Sequence, residues 1–441
     1  MANTSIRKTF SGNGNTKKWT LSWWEKKNKL GTVQRIFSCD ESGNNNHDDF
    51  FQWQTDDKLV IGFYDSGYYM NLTPDRNFRD TNAWYHFVFT WDTAQATASN
   101  RAKFYVNGVQ ETVFATETYP SQNKDSFINT TEPIEIGKRS DNDTQFLEST
   151  LSHVHFCDGY AYAASDFGST DATTGEWKIN TSPSVSYGTN GFWILKDGNT
   201  ITDSSPNSND WSSVSGTLTK TEDCPSNVFC TINPLTNNQP SNFVLSHGNT
   251  KATVNGQWLS GSATMGMITG KYYWELKRGS GNYGLGVVLA NGVADNITQH
   301  SYQNYAFCSR YVDGWEFFHN GSAKRQNNNS QSDWGSTLNS GDIMTMAFDA
   351  DTGKLYAGKN GTWFESGNPE TGAYPMYTLT TGKFYIPCLS VENGNHEINF
   401  GNGYFGSTAV SSAGTNASGN GIFEYDVPTG YTALSTKGLN L

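Results

Sequence analysis

Short aromatic runs alternate with polar residues along most of this chain, with the period of two that a β-strand imposes on its faces. In WYHFVFTWD (84–92), Tyr85, Phe87, Phe89 and Trp91 fall on one side and Trp84, His86, Val88 and Thr90 on the other. Both sides look covered, which predicts a central strand of a sandwich. KYYWELK (271–277) sets Tyr272, Trp274 and Leu276 against Tyr273, Glu275 and Lys277, predicting one buried and one wet face. GDIMTMAFDADTGKLYAG (341–358) places Met344, Met346 and Phe348 together before a DADTG turn, and HEINFG (396–401) sets His396, Ile398 and Phe400 opposite Glu397 and Asn399. Two stretches, RAKFYVNGVQ (101–110) and GKLYAGKNGTWF (353–364), read as strand, Asn-Gly turn and strand. Ten Asn-Gly dipeptides punctuate the chain in this way. Helical periodicity is absent beyond a single turn around Ala163 to Phe167. The pattern is therefore all-β and antiparallel.

A shift in composition divides it. Residues 201–242 are rich in Ser, Asn, Thr and Pro and poor in core-sized side chains, which predicts a polar connector. On either side lie β-rich stretches, 1–200 and 243–441, each the size of one large sandwich.

Composition changes the picture in three ways. Apolar residues are only 35% of the 441, but 14 Trp, 22 Tyr and 26 Phe make the core aromatic. A formal charge of -12 argues against a nucleic acid partner, because such a chain repels a phosphate backbone. No run approaches the ~20 apolar residues of a spanning helix, so membrane insertion is not expected. The start, MANTSIRKTFSGNGN, lacks the apolar core of a signal peptide, so the chain is expected to stay where it is made or to leave by lysis or within an assembly. Six cysteines without any CxxC spacing are too sparse for a disulfide framework and wrongly spaced for structural zinc, and most read as small buried hydrophobes. Cys224 and Cys230 are close enough to close a local loop.

Three resemblances follow from the motifs. KKWTLSWWEKK (17–27), AWYHFVFTWDTAQATASNRAKFYVNGVQ (83–110), IEIGKR (134–139) and LESTLSHVHFCDG (147–159) resemble, in order, the laminin G-like and pentraxin-like group of concanavalin A-type sandwiches. GKYYWELK, YGLGVV (283–288), the 341–364 hairpin and YIPCLSVENGNHEINFG (385–401) resemble the SPRY, or B30.2, module. Four phrases resemble structural proteins of marine tailed phages, read as tail fibre, appendage or head-surface proteins. They are YGTNGFWI (187–194), Asp203 with the SSPNSNDWSS that follows it (204–213), FCTINPL (229–235) and FEYDVPTGYTAL (423–434). Together these resemblances imply two antiparallel β-sandwiches of the concanavalin A-like or jelly-roll kind. They also imply a virion surface protein, made in host cytoplasm, that meets other virion proteins and forms a closed homo-oligomer such as a trimer.

The chemistry is expected to be binding and not catalysis. The ExDxxE signature of concanavalin-type glucanases is missing, and the nearest approach, Glu424-Tyr425-Asp426, lacks the second Glu. GxSxG is also absent. His153 and His155 share a strand face as a zinc pair would, but without a third ligand nearby they read as half-buried imidazoles. The acidic runs 44–51 and 139–146 are candidates for calcium at the rim of the first sandwich, although neither follows an EF-hand pattern; otherwise no cofactor is expected. The sequon Asn71-Leu72-Thr73 is what chance gives in an Asn-rich chain. Glycan binding fits best, since sugars stack on aromatic faces and hydrogen-bond to amides and hydroxyls. The candidate ligand-binding residues are Tyr68, Tyr69, Trp211, Tyr311, Trp315 and Trp334. The leading expectation is host adhesion; the alternatives are a non-adhesive decoration or fibre-anchoring protein, and a depolymerase needing two carboxylates about 5 to 9.5 Å apart.

Overall fold

The computed structural model describes residues 3–40, 47–196, 200–236, 241–290, 313–318, 323–326 and 330–440. Strands dominate them, joined by short 3-10 turns, one of which, Ala164–Asp166, lies where the sequence predicts a helical turn. The protein is all-β. It divides into two compact units, Met1–Lys220 and Thr221–Leu441.

The first unit is a sandwich of two antiparallel sheets. An eight-stranded sheet runs in the order Phe114–Thr118, Tyr68–Pro74, Leu59–Asp65, His47–Trp53, Gln34–Asp40, Ile134–Ile136, Ser5–Lys8, Ser212–Ser215. The six-stranded sheet facing it runs Phe192–Ile194, Ser149–Asp158, Lys18–Lys27, Tyr85–Asp92, Ala102–Val106, Val109–Gln110. Alternate residues of both sheets fill the space between them with rings: Trp23 meets Phe87 at 5.1 Å and Phe51 edge-on at 5.5 Å, and Trp19 meets Phe89 at 5.5 Å. Each fully buried ring of this size contributes on the order of 2–3 kcal/mol, so few aliphatic residues are needed. Both faces of strand Tyr85–Asp92 are covered, as its alternation predicts: Val88 packs with Phe167, Tyr187 and Trp193 in a second cluster.

In the second unit two long strands, Lys271–Leu289 and Tyr385–Asn399, pair with each other and bend together. The register shifts at Arg278/Ser280 and Ser280/Asn282 mark the bend. Gly281 sits there with φ +74°, and a Cβ on it would lie 2.4 Å from the Asn393 carbonyl oxygen, so the close approach requires glycine. Before the bend, Lys271–Lys277 pairs with strand Ile343–Asp349; after it, Gly284–Val288 pairs with Gly314–Phe318. Trp274, Leu285, Met344, Met346, Phe348 and Leu389 meet in the core between.

Two expectations are corrected by the packing. Tyr273 and Glu275 are not on a wet face, because the segment around Phe423–Ala433 lies over them and forms a second cluster with Tyr356. The described residues of 201–242 are not a free connector, because hydrogen bonds from polar side chains and the burial of Trp211, Phe229, Cys230 and Ile232 anchor them. Ser212–Ser215 is an edge strand of the first unit, whereas Phe229, Cys230 and Ile232 are buried in the second.

The phage-like phrases turn out to be paired latches. Asp203, which opens the 203–213 phrase, accepts backbone N–H groups of Trp193 and Ser205 on one oxygen and of Asn209 on the other. Asn207 and Asn209 donate back to carbonyls of Gly188, Thr189 and Gly191 in YGTNGFWI. Trp211 then inserts into the core against Phe192, ring centroids 4.9 Å apart. In the second unit FCTINPL meets FEYDVPTGYTAL through Cys230 N–H to the Leu434 carbonyl, and Phe229 bridges to Ser435 just after it.

The cysteines mostly follow expectation. Cys39, Cys157 and Cys230 are buried free thiols, and Cys224 is also free, so Cys224 and Cys230 do not close a loop. Cys388 is disulfide-bonded.

Candidate functional site

In the second unit the large sheet continues past its apolar core. Strand Ala323–Gln326 is flanked by Gly314–Phe318 and Ser330–Asp333, with Lys324 opposite Phe317 on one side and Ser332 on the other. Cross-strand partners share a face, so the side that is core at Phe317 becomes polar at Lys324 and Ser332. Trp315 lies opposite Gln326 on that same face and packs edge-on against Tyr385 at 5.8 Å. Segment 375–378, whose Tyr377–Thr378 pairs with Lys354 and Leu355, forms the other lip. Between them is a groove of about 430 Å³ lined by Lys324, Gln326, Ser332, Met376, Tyr377 and Thr378, together with Pro375.

Aromatic rings set the electrostatics of this groove. The Lys324 ammonium lies 4.4 Å from the Trp334 ring and 5.1 Å from that of Tyr377, a cation–π arrangement, and donates to the Met376 carbonyl at 3.0 Å. Burial pulls the Lys324 pKa down, with Glu365 opposing. Glu365 forms no salt bridge to it among the described residues and instead accepts the Gly335 N–H. The Trp334 indole N–H is buried without a hydrogen-bond partner. Burial also raises the Tyr377 hydroxyl, which keeps it a neutral donor. One cation, an amide, three hydroxyls and the Tyr377 ring can hold a polyhydroxylated ligand.

The first unit offers a flatter surface on the outer face of its eight-stranded sheet. Tyr68, 51% exposed, meets Tyr64 edge-on at 5.4 Å and Phe50 at 6.4 Å. The Arg35 guanidinium lies 3.8 Å above Phe50 and grips both oxygens of Asp48.

The structure sorts the six sequence candidates accordingly. Trp315 and Trp334 lie beside the groove without lining it, Trp315 against Tyr385 and Trp334 against the Lys324 ammonium, and Tyr68 stands apart on the first unit. Tyr69 is turned inward: its hydroxyl donates to Asp49 at 2.6 Å and its ring packs on Phe63 and Phe127. A register shift between Phe63 and Tyr64 separates the two adjacent tyrosines. Trp211 is a core residue, because the Asp203 latch draws it in. Tyr311 lies outside the described residues. Sequence reasoning missed Lys324, Gln326, Ser332 and Tyr377; only the neighbouring Trp315 and Trp334, large rings beside polar residues, carried a signal.

A laminin G family model, described as the concanavalin A-like lectin/glucanases superfamily, matches residues 3–165. The first unit contains a concanavalin A-like domain. Among solved structures the chain is similar to the SPRY domain of human HERC1, at 15% identity over 38% of this chain and 96% of that one, with a TM-score of 0.29. It is similar also to a heptameric SAP-like pentraxin from Limulus polyphemus, at 15% identity over 49% of this chain and 89% of that one, with a TM-score of 0.30. No curated protein matches it in sequence.

The remaining candidates are held by their neighbours. His155 bonds the Tyr187 hydroxyl at 2.9 Å and stacks on Trp193, while His153 bonds Ser152. Glu424 and Asp426 cap loops, accepting from Ser411 and Thr415 respectively. In the two acidic runs Asp48 pairs with Arg35, Asp141 with Arg139 and Asp143 with Lys138, while Asp49 accepts the Tyr69 hydroxyl and the Phe127 N–H. Among the described residues no group of three or more His, Cys, Asp or Glu side chains is placed to hold a metal ion. Residues 44–46 of the other acidic run lie outside the described residues.

Asp40 forms no ion pair among the described residues. It faces Asp48 across the strand pair, and both its oxygens are buried without a hydrogen-bond partner. Burial first, then Asp48 and Asp141, push its pKa up to about 7 against the opposing pull of Arg139 and Arg35. A carboxyl whose folded-state pKa is raised stabilises the fold below its unfolded pKa, near 4, and that stability is lost as pH rises through 7. Asp40→Asn is therefore expected to raise the thermal midpoint at about pH 8 and to leave it nearly unchanged at about pH 4. Equal shifts at the two pH values in a melting series would count against this account.

Proposed function

We propose that this protein is an adhesin on the surface of a tailed bacteriophage particle, binding host-surface glycans through the groove between strand Ala323–Gln326 and segment 375–378. The groove carries the reading. It sets the Tyr377 ring and Met376 beside a polar floor of Gln326, Ser332 and Thr378, so that a sugar ring can stack while its hydroxyls bond to those three side chains. Placement on a virion rests on the phage-like phrases of both units. Many copies on one particle, with the protein as a homo-oligomer among other virion proteins, would turn weak single-site contacts into avidity.

Binding of the purified chain to a panel of bacterial surface polysaccharides tests this directly. Tyr377→Ala is expected to weaken binding about tenfold or more, which corresponds to losing ~1.4 kcal/mol of stacking. Gln326→Ala, a milder change at the same floor, is expected to weaken it while leaving the thermal midpoint in place. Binding untouched by both variants, or absence of the chain from purified particles, would overturn the proposal. A second reading, an anchoring or decoration protein without a sugar ligand, draws support from strand Phe114–Thr118. This edge of the eight-stranded sheet is largely exposed and could accept a neighbour's strand.

A further inference from the structure

We infer that the groove selects acidic saccharides, with the carboxylate of a uronic-type sugar seated on the Lys324 ammonium. The inference rests on the glycan-binding reading and adds the ligand class.

Lys324 is the cation of this groove, and its neighbours hold it without neutralising it. Two rings flank it and one carbonyl takes one of its three N–H bonds. Among the described residues it forms no ion pair. Ring faces stabilise an ammonium but leave its charge uncompensated, so an arriving carboxylate gains a charge-assisted hydrogen bond at a site already partly desolvated. The surroundings are suited to the rest of such a ligand. Gln326 supplies an amide, Ser332 and Thr378 supply hydroxyls, and Met376 and Tyr377 supply apolar surface. A neutral sugar would leave the ammonium with water as its partner in place of a carboxylate.

The chain's formal charge of -12 opposes any anion at long range. That repulsion is screened beyond about 10 Å at 0.1 M salt, whereas a contact pair inside a groove is screened much less. Contact therefore decides selectivity, and added salt is expected to strengthen binding of an acidic ligand or leave it unchanged.

Calorimetric titration of the full chain with a hexuronate oligosaccharide and with a neutral hexose oligosaccharide of equal length tests the assignment. The acidic ligand is expected to bind about tenfold more tightly, as one charge-assisted bond predicts. Lys324→Gln is expected to abolish that preference by weakening the acidic ligand more than the neutral one, and Lys324→Arg to restore part of it. Because Lys324→Gln also alters the bond to Met376, Ser332→Ala serves as a second variant that is expected to weaken both ligands equally. Equal binding of the two oligosaccharides by the unaltered chain would overturn the acidic assignment and leave the glycan reading standing. Binding of neither would overturn both. A preference that survives Lys324→Gln would place the carboxylate elsewhere and overturn the role of Lys324.

Discussion

Asp203→Ala is expected to destabilise the first unit by about 3–5 kcal/mol. The carboxylate accepts three backbone N–H groups, those of Trp193, Ser205 and Asn209, and the Ser205 hydroxyl, at 2.7 to 2.8 Å. Each buried donor left without a partner costs about 1–3 kcal/mol, and water entering at this rim recovers part of that. The loss spreads because of what the carboxylate holds. Trp193 lies on the edge strand Phe192–Ile194 of the six-stranded sheet, and Trp211 reaches the core from the same loop. Urea denaturation followed by tryptophan fluorescence would measure the change, and a loss under about 1 kcal/mol would show that the latch is ornamental.

Glu275→Ala is expected to have a comparable effect in the second unit, about 3–5 kcal/mol, by the same arithmetic of orphaned donors. Glu275 is wholly buried, receives the Tyr273 hydroxyl, and accepts the backbone N–H groups of Glu424 and Tyr425, all at 2.9 Å. Burial raises its pKa to about 7 against those bonds. Without it, the segment carrying Phe423 and Tyr431 loses its anchor to the strand beneath. Limited proteolysis near residues 411–430 should then precede global unfolding. Cleavage there no faster than in the unaltered chain would refute the anchoring role.

Both anchors bear on what could be read from the residues alone. The hairpins were legible because their turns need positive φ at two successive positions and Asn-Gly supplies it. Asn107 and Gly108 lie at +47° and +82°, Asn360 and Gly361 at +49° and +78°. Strand faces were legible wherever aromatic alternation was strict, as at Tyr85–Asp92. The latches were not, because Asp203, Asn207 and Asn209 act through hydrogen bonds, and a stretch of such residues has the composition of a linker. Nor was the choice between Tyr68 and Tyr69, which depends on a one-residue register shift. The groove was half legible. Trp315 and Trp334, which lie beside it, stand out in sequence, but Tyr377 reaches Lys324 only through the pairing of its strand with Lys354 and Leu355.

Each unit also fastens its own beginning to its own end. Ser5–Lys8 lies antiparallel to Ser212–Ser215, with Ser5 opposite Ser215, and Phe229 lies opposite Ser435. Paired strands are about 5 Å apart, so either unit enters and leaves through a gap no wider than a β-hairpin. A module of that form can be spliced into a surface loop of an unrelated host protein without stretching it. It can equally be duplicated or exchanged as a single piece, so a change within one unit can travel by recombination independently of the scaffold that carries it.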